Sequence, residues 1–203
     1  PEFDRDVLEV LREPLETGHI VVSRAGRQAE FPARFQLVAA MNPCPCGHLG
    51  DPAATCKCGD ARIAAYRNRI SGPLLDRIDL HIEVPRVPTE VLANDEPAES
   101  SSAVATRVLV ARQRQLERQG RSNAQLDGPV AVSRVNAERA ALRFLSGAMR
   151  QLALSARAYH RVLRVARTIA DLAGSASVTT VHVSEAITLR QLDRRSAGTS
   201  ISG

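Results

Sequence analysis

The sequence predicts an α/β region followed by an all-helical region. Residues 35–41 (FQLVAAM) form an apolar run of the kind found in a central parallel strand that is covered on both faces. Residues 19–31 (HIVVSRAGRQAEF) form two extended runs around Ala25-Gly26, which is typical of a β-hairpin. Beyond residue 103 the pattern is helical throughout. The predicted fold is therefore a partial parallel sheet with a β-hairpin insertion, followed by a helical lid domain.

The first element is predicted to be an amphipathic helix. Asp4 can cap it, apolar residues recur at helical spacing from Val7 to Leu15, and Gly18 can end it. Pro14 is expected to kink or tighten the last turn, because proline lacks a backbone N–H.

The segment after the apolar run is predicted to contain a helix over residues 61–70 and then a turn and short helix. These lead into a second strand over residues 79–84, which ends at Pro85. In the helical region the clearest helix covers residues 156–173, with Ser155 as its cap and Gly174 as its stop. Other helices are expected to end near Gly120, to cover 134–147 and to follow Thr180.

Residues rich in Pro, Glu and Ser indicate a boundary between the two regions. The predicted organisation is an α/β region over 1–85, with the hairpin at 19–32 and a cysteine-rich loop at 43–59, then a linker over 86–103 and a lid over 104–196.

The charge of the chain is basic, with 27 Lys and Arg residues, a net charge of +5, and Lys57 as the only lysine. Arginine suits phosphate partners, so nucleic-acid or nucleotide binding fits, but a coding bias toward arginine fits equally well. No apolar run approaches the roughly 20 residues that a bilayer span needs, and no signal peptide opens the chain. We expect a cytoplasmic protein with no membrane partner.

All four cysteines lie in one stretch, as the pairs Cys44/Cys46 and Cys56/Cys58. A reducing cytosol argues against disulfides. Two close pairs can converge on one Zn²⁺, although zinc ligands usually leave at least two residues within each pair. His48 or Asp51 could replace one thiol. Structural zinc, free reduced thiols and a redox pair all remain open from the sequence.

Three long stretches carry a family resemblance: DRDVLEVLREPLETGHIVVSRAGRQAEFPARFQLVAAMNPCPCG, ISGPLLDRIDLHIEVP and LSARAYHRVLRVARTIADLAGSASVTTVHVSEAI. Together they resemble the carboxy-terminal part of a magnesium-chelatase-like AAA+ ATPase. The resemblance implies a partial AAA+ core, and ATP with Mg²⁺ as cofactors of the full-length protein. The chain has no G-x-x-x-x-G-K-[ST] and no apolar strand ending in Asp-Glu, so we expect it to be inactive alone.

The resemblance also assigns ATPase roles to three residues. Asn42 matches sensor 1, where an amide orients the attacking water. Arg77 matches the arginine finger, which reaches the nucleotide of a neighbouring subunit. Arg157, in the first turn of the best helix, matches sensor 2, and a helix start already favours an anion. From the residues alone, Asn42 could be a turn former, Arg77 a salt-bridge partner of Asp76 or Asp79, and Arg157 a solvated arginine.

The hairpin resembles an insertion found in AAA+ helicases, whose tips line a channel and follow DNA. Arg24 and Arg27 flank its tip and suit phosphate contacts, although a solvated turn would look the same. The resemblance implies a hexameric ring that acts on single-stranded or branched DNA, with a branch-migration helicase in recombination and natural transformation as the expected activity. The alternative is a chelatase-type ATPase that remodels a protein partner.

Overall fold

The computed structural model describes residues 1–87, 91, 98–126, 133–152 and 154–190. The described chain divides into two units. The first comprises Pro1–Ile78 with Val84–Arg86, and the second comprises Asp79–Glu83 with the described residues from Val87 onward.

Two short helices stand where one helix was predicted at the start of the first unit. Helix α1 covers Arg5–Val10 and α2 covers Arg12–Thr17. They break at Leu11 because Pro14 has no N–H to donate to the carbonyl of Val10. Gly18 ends α2 at φ 75°, and a Cβ there would lie 2.9 Å from Cγ of Arg34, so this position requires glycine.

The predicted hairpin is confirmed. Strand β1 (His19–Arg24) pairs antiparallel with β2 (Arg27–Pro32), in a register that runs from His19 opposite Pro32 to Arg24 opposite Arg27. Both residues of the two-residue loop have positive φ, 49° at Ala25 and 73° at Gly26. This is the type I′ geometry whose twist matches that of the flanking strands.

The predicted parallel sheet is not confirmed in the described residues. Residues 35–41 contain no strand, and of residues 79–84 only His81 makes an isolated parallel bridge, to Arg190. A strand forms only where its N–H and C=O groups meet a neighbouring ladder, and no described segment supplies one to residues 35–41. The apolar composition of this run was correctly identified, but Val38 is 84% exposed.

Two further helices complete the first unit: α3 (Asp60–Arg67) and α4 (Gly72–Leu75). Ser71 caps α4 by accepting a hydrogen bond from the N–H of Leu74 at 3.2 Å. Among the described residues of this unit, the buried members of the core are few: Cys44, Tyr66 and Leu74.

The second unit is helical. It contains α5 (Ser101–Gln119), a 3₁₀ turn (Asn123–Gln125), α6 (Arg139–Gln151), α7 (Ala156–Leu172) and α8 (Thr180–Thr188). Ser100 caps α5, which therefore begins three residues before the predicted lid boundary at 104. Residues 133–135 form a separate helical turn, and the chain leaves the helix at Asn136, where φ is 50°. Helix α6 begins only at Arg139, after Ala137 pairs with Val178 and the N–H of Glu138 donates to the Val178 carbonyl. Half of the predicted linker, at 88–90 and 92–97, lies outside the described residues, and so does the predicted lid end at 191–196.

The apolar core of the second unit lies between α6, α7 and α8. Leu145, Val162, Leu163 and Val183 are fully buried in it. The sequence predicted α7 well, because its apolar residues recur every three or four positions and Ser155 accepts a hydrogen bond from the N–H of Ala158 at 3.1 Å.

A buried carboxylate connects α5 to α7. Asp171 is 1% exposed and accepts hydrogen bonds from Arg118 at 2.6 and 2.9 Å and from the side-chain amide of Asn123 at 2.8 Å. Arg167, one turn earlier on α7, lies 3.0 Å from the same carboxylate. Burial alone would raise the pKa of Asp171, but the hydrogen bonds from Arg118 and Asn123 hold it below its ordinary value.

We expect Asp171→Asn to destabilise the helical unit by about 3 kcal/mol or more, because it leaves the buried cation Arg167 without its counter-charge. Urea unfolding followed by circular dichroism measures this, with the exposed Glu185→Gln on α8 as the matched control. Since the pKa of Asp171 is lowered by folding, its contribution is full above the ordinary value of 3.8 and is lost as the pH falls below it. A variant that loses no stability at pH 7 would contradict this role.

Candidate functional site

Four sulfur atoms converge in the loop that follows Asn42. The Sγ atoms of Cys44, Cys46, Cys56 and Cys58 all lie within 4.8 Å of one another. Cys44 Sγ is 3.4 Å from that of Cys46 and 3.7 Å from that of Cys56, and Cys46 and Cys56 are 3.7 Å apart. The two short pairs therefore meet although only one residue separates the cysteines within each.

These separations fit a tetrahedral metal centre. Four sulfurs at about 2.3 Å from one ion are about 3.8 Å from each other, whereas a disulfide holds its two sulfurs at about 2.05 Å. The four thiols are free cysteines. This group of four thiols could hold one metal ion. His48 and Asp51, the alternative ligands, lie beside each other instead, with 3.7 Å between His48 Nδ1 and Asp51 Oδ2.

Backbone N–H groups point at the sulfurs. Those of His48 and Lys57 donate to Cys46 Sγ and lower the pKa of Cys46 to about 6. At Cys56 the N–H of Cys58 acts to lower the pKa, but burial and the neighbouring thiols of Cys46 and Cys44 raise it to about 11. Thiolates this close repel one another, so ionisation of all four needs a cation between them.

Helix α3 holds the backbone between Asn42 and the first cysteine. Arg67 donates two hydrogen bonds to the carbonyl of Pro43, from Nε at 3.1 Å and from Nη2 at 3.0 Å. Tyr66 is buried beside this segment, and the N–H of Asn42 donates to its phenolic oxygen. Asn42 itself is exposed.

Arg77 is ion-paired to a residue that the sequence did not suggest. Its Nη2 contacts the carboxylate of Glu16 on α2, and its Nη1 donates to the carbonyl of Pro73 at 2.7 Å. The side chain is only 9% exposed. Asp79 pairs instead with Arg161 of α7, with 2.7 Å between Arg161 Nη1 and Asp79 Oδ1. The sequence did not identify Glu16 as the partner of Arg77, because 61 residues separate the two and no local sequence pattern indicates such a pair.

The remaining candidates occupy exposed positions in different units. Arg157 lies in the first turn of α7, in the second unit, while Asn42 and Arg77 belong to the first. Arg24 and Arg27 are both exposed and face each other as the last pair of the hairpin. The hairpin therefore presents two guanidinium groups at its tip.

Two family models match almost the whole chain in order. One, described as magnesium chelatase, subunit ChlI, matches residues 1–92, and the C-terminal model of the same subunit matches residues 98–190. The chain belongs to the magnesium chelatase ChlI family.

The relatives of this family member include longer bacterial proteins. The chain is 46% identical over 195 residues to the competence protein ComM of Haemophilus influenzae, and 45% identical over 195 residues to YifB of Escherichia coli. Each match covers 96% of this chain and 38% of the relative. A Mycobacterium tuberculosis protein is 39% identical over 198 residues, which are 96% of this chain and 39% of that protein. The chain thus spans about two fifths of the length of these relatives.

The described helices of this ChlI family member include none with both the length and the apolar character that a bilayer span requires.

Proposed function

We propose that this chain is the carboxy-terminal part of an ATP-driven AAA+ motor that acts on DNA, with branch migration during recombination in natural transformation as its task. The observation that carries the proposal is the hairpin tip, where Arg24 and Arg27 stand as the last cross-strand pair and are both exposed. Two cations on a rigid two-residue turn suit phosphate contacts along a nucleic-acid backbone. The similarity to a protein named as a competence protein supports the same direction.

In this motor three residues of the chain have different roles in ATP hydrolysis. Asn42 orients the attacking water, Arg157 contacts the phosphates at the start of α7, and Arg77 reaches the nucleotide of the next subunit in a hexameric ring. ATP and Mg²⁺ are the cofactors of the full-length protein. Arg67 holds the carbonyl of Pro43, the residue after Asn42, and Tyr66 lies beside the same backbone. These contacts support a fixed position for the first of these groups.

The second candidate is a chelatase-type ATPase that remodels a protein partner, and the family description favours it. The deciding experiment is the ATPase rate of the full-length protein with and without branched DNA. Stimulation by DNA supports the motor. Stimulation by a protein partner alone supports the remodeller.

We expect the double variant Arg24→Ala, Arg27→Ala of the full-length protein to bind DNA more weakly, and about equally so for all sequences. Each phosphate contact releases counterions when it forms, so a variant that lacks two contacts releases fewer of them on binding. The magnitude of the slope of log affinity against log salt should therefore fall by about one to two. Fluorescence anisotropy at several salt concentrations measures this, and Arg112→Ala, an exposed arginine on α5, is the matched control. An unchanged slope would remove the hairpin from the DNA path.

We expect Arg77→Ala to leave ATP binding nearly intact and to reduce hydrolysis by about 10³-fold, because an arginine finger acts on the transition state. Mixing this variant with subunits whose own nucleotide site is disabled should restore part of the activity, since the finger is supplied across the subunit boundary. Arg69→Ala, an exposed arginine in the same unit, serves as the control. Equal losses of binding and hydrolysis would make Arg77 a structural residue.

We further propose that the four cysteines hold one structural Zn²⁺. Four thiolates fill the coordination shell and leave no place for an activated water, so the ion braces the loop that follows Asn42. Elemental analysis should find about one zinc per chain, and Cys44→Ser with Cys58→Ser should lose it. His48→Ala should retain it, because His48 lies outside the group of sulfurs. Metal-free protein with four readily alkylated thiols would show that the cysteines are bystanders.

A further inference from the structure

The two faces of the hairpin differ in chemistry. Side chains alternate between the two faces of a strand, and residues paired directly across the ladder share a face. The register of β1 and β2 therefore divides the hairpin into two sets of side chains. One face, which we name the arginine face, carries Ile20, Val22, Arg24, Arg27, Ala29 and Phe31. The opposite face carries His19, Val21, Ser23, Gln28, Glu30 and Pro32.

The charge of the arginine face is purely positive. It lies at the tip, where Arg24 and Arg27 are both exposed. The single carboxylate of residues 19–32 belongs to Glu30 on the opposite face, where its Oε1 is 3.7 Å from Nδ1 of His19. A polyanion is therefore attracted to the arginine face and meets a negative charge on the other.

Behind the tip, the arginine face exposes apolar side chains. Phe31 is 50% exposed and Val22 is 47% exposed, and Ala29, which is paired with Val22, is exposed as well. Exposed aromatic rings on strands are the groups on which nucleic-acid-binding sheets stack bases. The arginine face thus offers an aromatic contact in addition to its two cations.

The spacing of these groups along β2 suits a strand of DNA. Phe31 is four residues from Arg27, which is about 14 Å at the rise of a β-strand. A stacked strand advances about 3.4 Å per nucleotide, so this distance spans about four nucleotides. A strand whose phosphates lie against the two arginines can continue along the hairpin and place a base on Phe31.

We propose that the arginine face is a binding site for single-stranded DNA, in which Arg24 and Arg27 contact phosphates and Phe31 stacks on a base. The inference rests on the proposed DNA-motor function and specifies the form of DNA that the hairpin holds. Phosphate contacts serve single strands and duplexes alike. The bases of a duplex are stacked on one another, so the contact with Phe31 forms only with a single strand.

The test measures binding of the full-length protein to three labelled probes of equal length by fluorescence anisotropy. The probes are an oligothymidylate, the same phosphodeoxyribose chain without bases, and a duplex. Phe31→Ala removes the ring, and Phe31→Tyr keeps an aromatic ring in its place. Val21→Ala removes an exposed apolar side chain from the opposite face of the same hairpin and is the matched control.

We expect Phe31→Ala to weaken binding to the oligothymidylate about five- to hundred-fold, which is the effect of losing one stacked base. Its binding to the abasic chain and to the duplex should not change. The salt dependence should also stay as in the wild type, because no phosphate contact is lost. Phe31→Tyr and Val21→Ala should bind all three probes as the wild type does.

Wild-type binding of the oligothymidylate by Phe31→Ala would overturn the inference. An equal loss for all three probes would overturn it as well, because Phe31 would then support the structure of the hairpin and contact no base. The inference also fails if Phe31→Ala dissociates the oligomer in size-exclusion chromatography without a selective loss of oligothymidylate binding. In that case the apolar part of the face meets a second copy of the chain.

The double variant Arg24→Ala, Arg27→Ala separates this inference from the proposed function. If it weakens binding to all three probes while Phe31→Ala changes none, the stacking role fails and the proposed function stands. If the double variant binds every probe as the wild type does, the hairpin lies outside the DNA path and the proposed function itself fails.

Discussion

The helical unit depends on one buried negative charge. Asp171 accepts hydrogen bonds from Arg118 and Asn123 and lies beside Arg167, while the backbone carbonyl of the same residue accepts one from Arg114 at 2.5 Å. Without a carboxylate at this point, the arginines of α5 and Arg167 of α7 would lie together without a counter-charge in a place shielded from water. Neutralisation of these cations by Asp171 therefore stabilises the packing of α7 against α5.

The first unit is organised differently, because it has little apolar core. Polar anchors hold its backbone instead: the Arg67 guanidinium on the carbonyl of Pro43, the Arg77 pair with Glu16, and the four gathered thiols. Directional contacts of this kind fix the positions of the groups they join, but each contributes little to the free energy of folding when it is exposed to water. A loop held in this way has a defined position but is easily deformed.

Local sequence patterns predicted the secondary-structure elements that are determined by neighbouring residues. Helix α7 has its cap, its apolar spacing and its terminating glycine within about 20 residues, and the hairpin has its Ala-Gly loop between two extended runs. The cysteine pairs were likewise visible, although only the structure brings their sulfurs together. The sequence also supplied the family, from which the roles of Asn42, Arg77 and Arg157 were carried over.

The errors and omissions concern partners that are distant in the sequence. The run at 35–41 has the composition of a buried strand, but composition cannot create the neighbouring ladder that a strand requires. The contacts of Arg77 with Glu16 and of Asp79 with Arg161 span 61 and 82 residues, so neither could be inferred from spacing. One signal for Asp171 was available: an acidic residue four positions after Arg167, within a helix whose neighbouring positions are apolar.

The exposed apolar run has a consequence for the colloidal behaviour of the chain. Val38 is 84% exposed and Phe35 is 47% exposed, so water must cover surface that would otherwise be shared with other apolar groups. Salts that are excluded from protein surfaces, such as sulfate, raise the free energy of such exposure. In their presence this segment would favour contact between chains, so the exposed Phe35 and Val38 would lower solubility despite the basic charge of the whole.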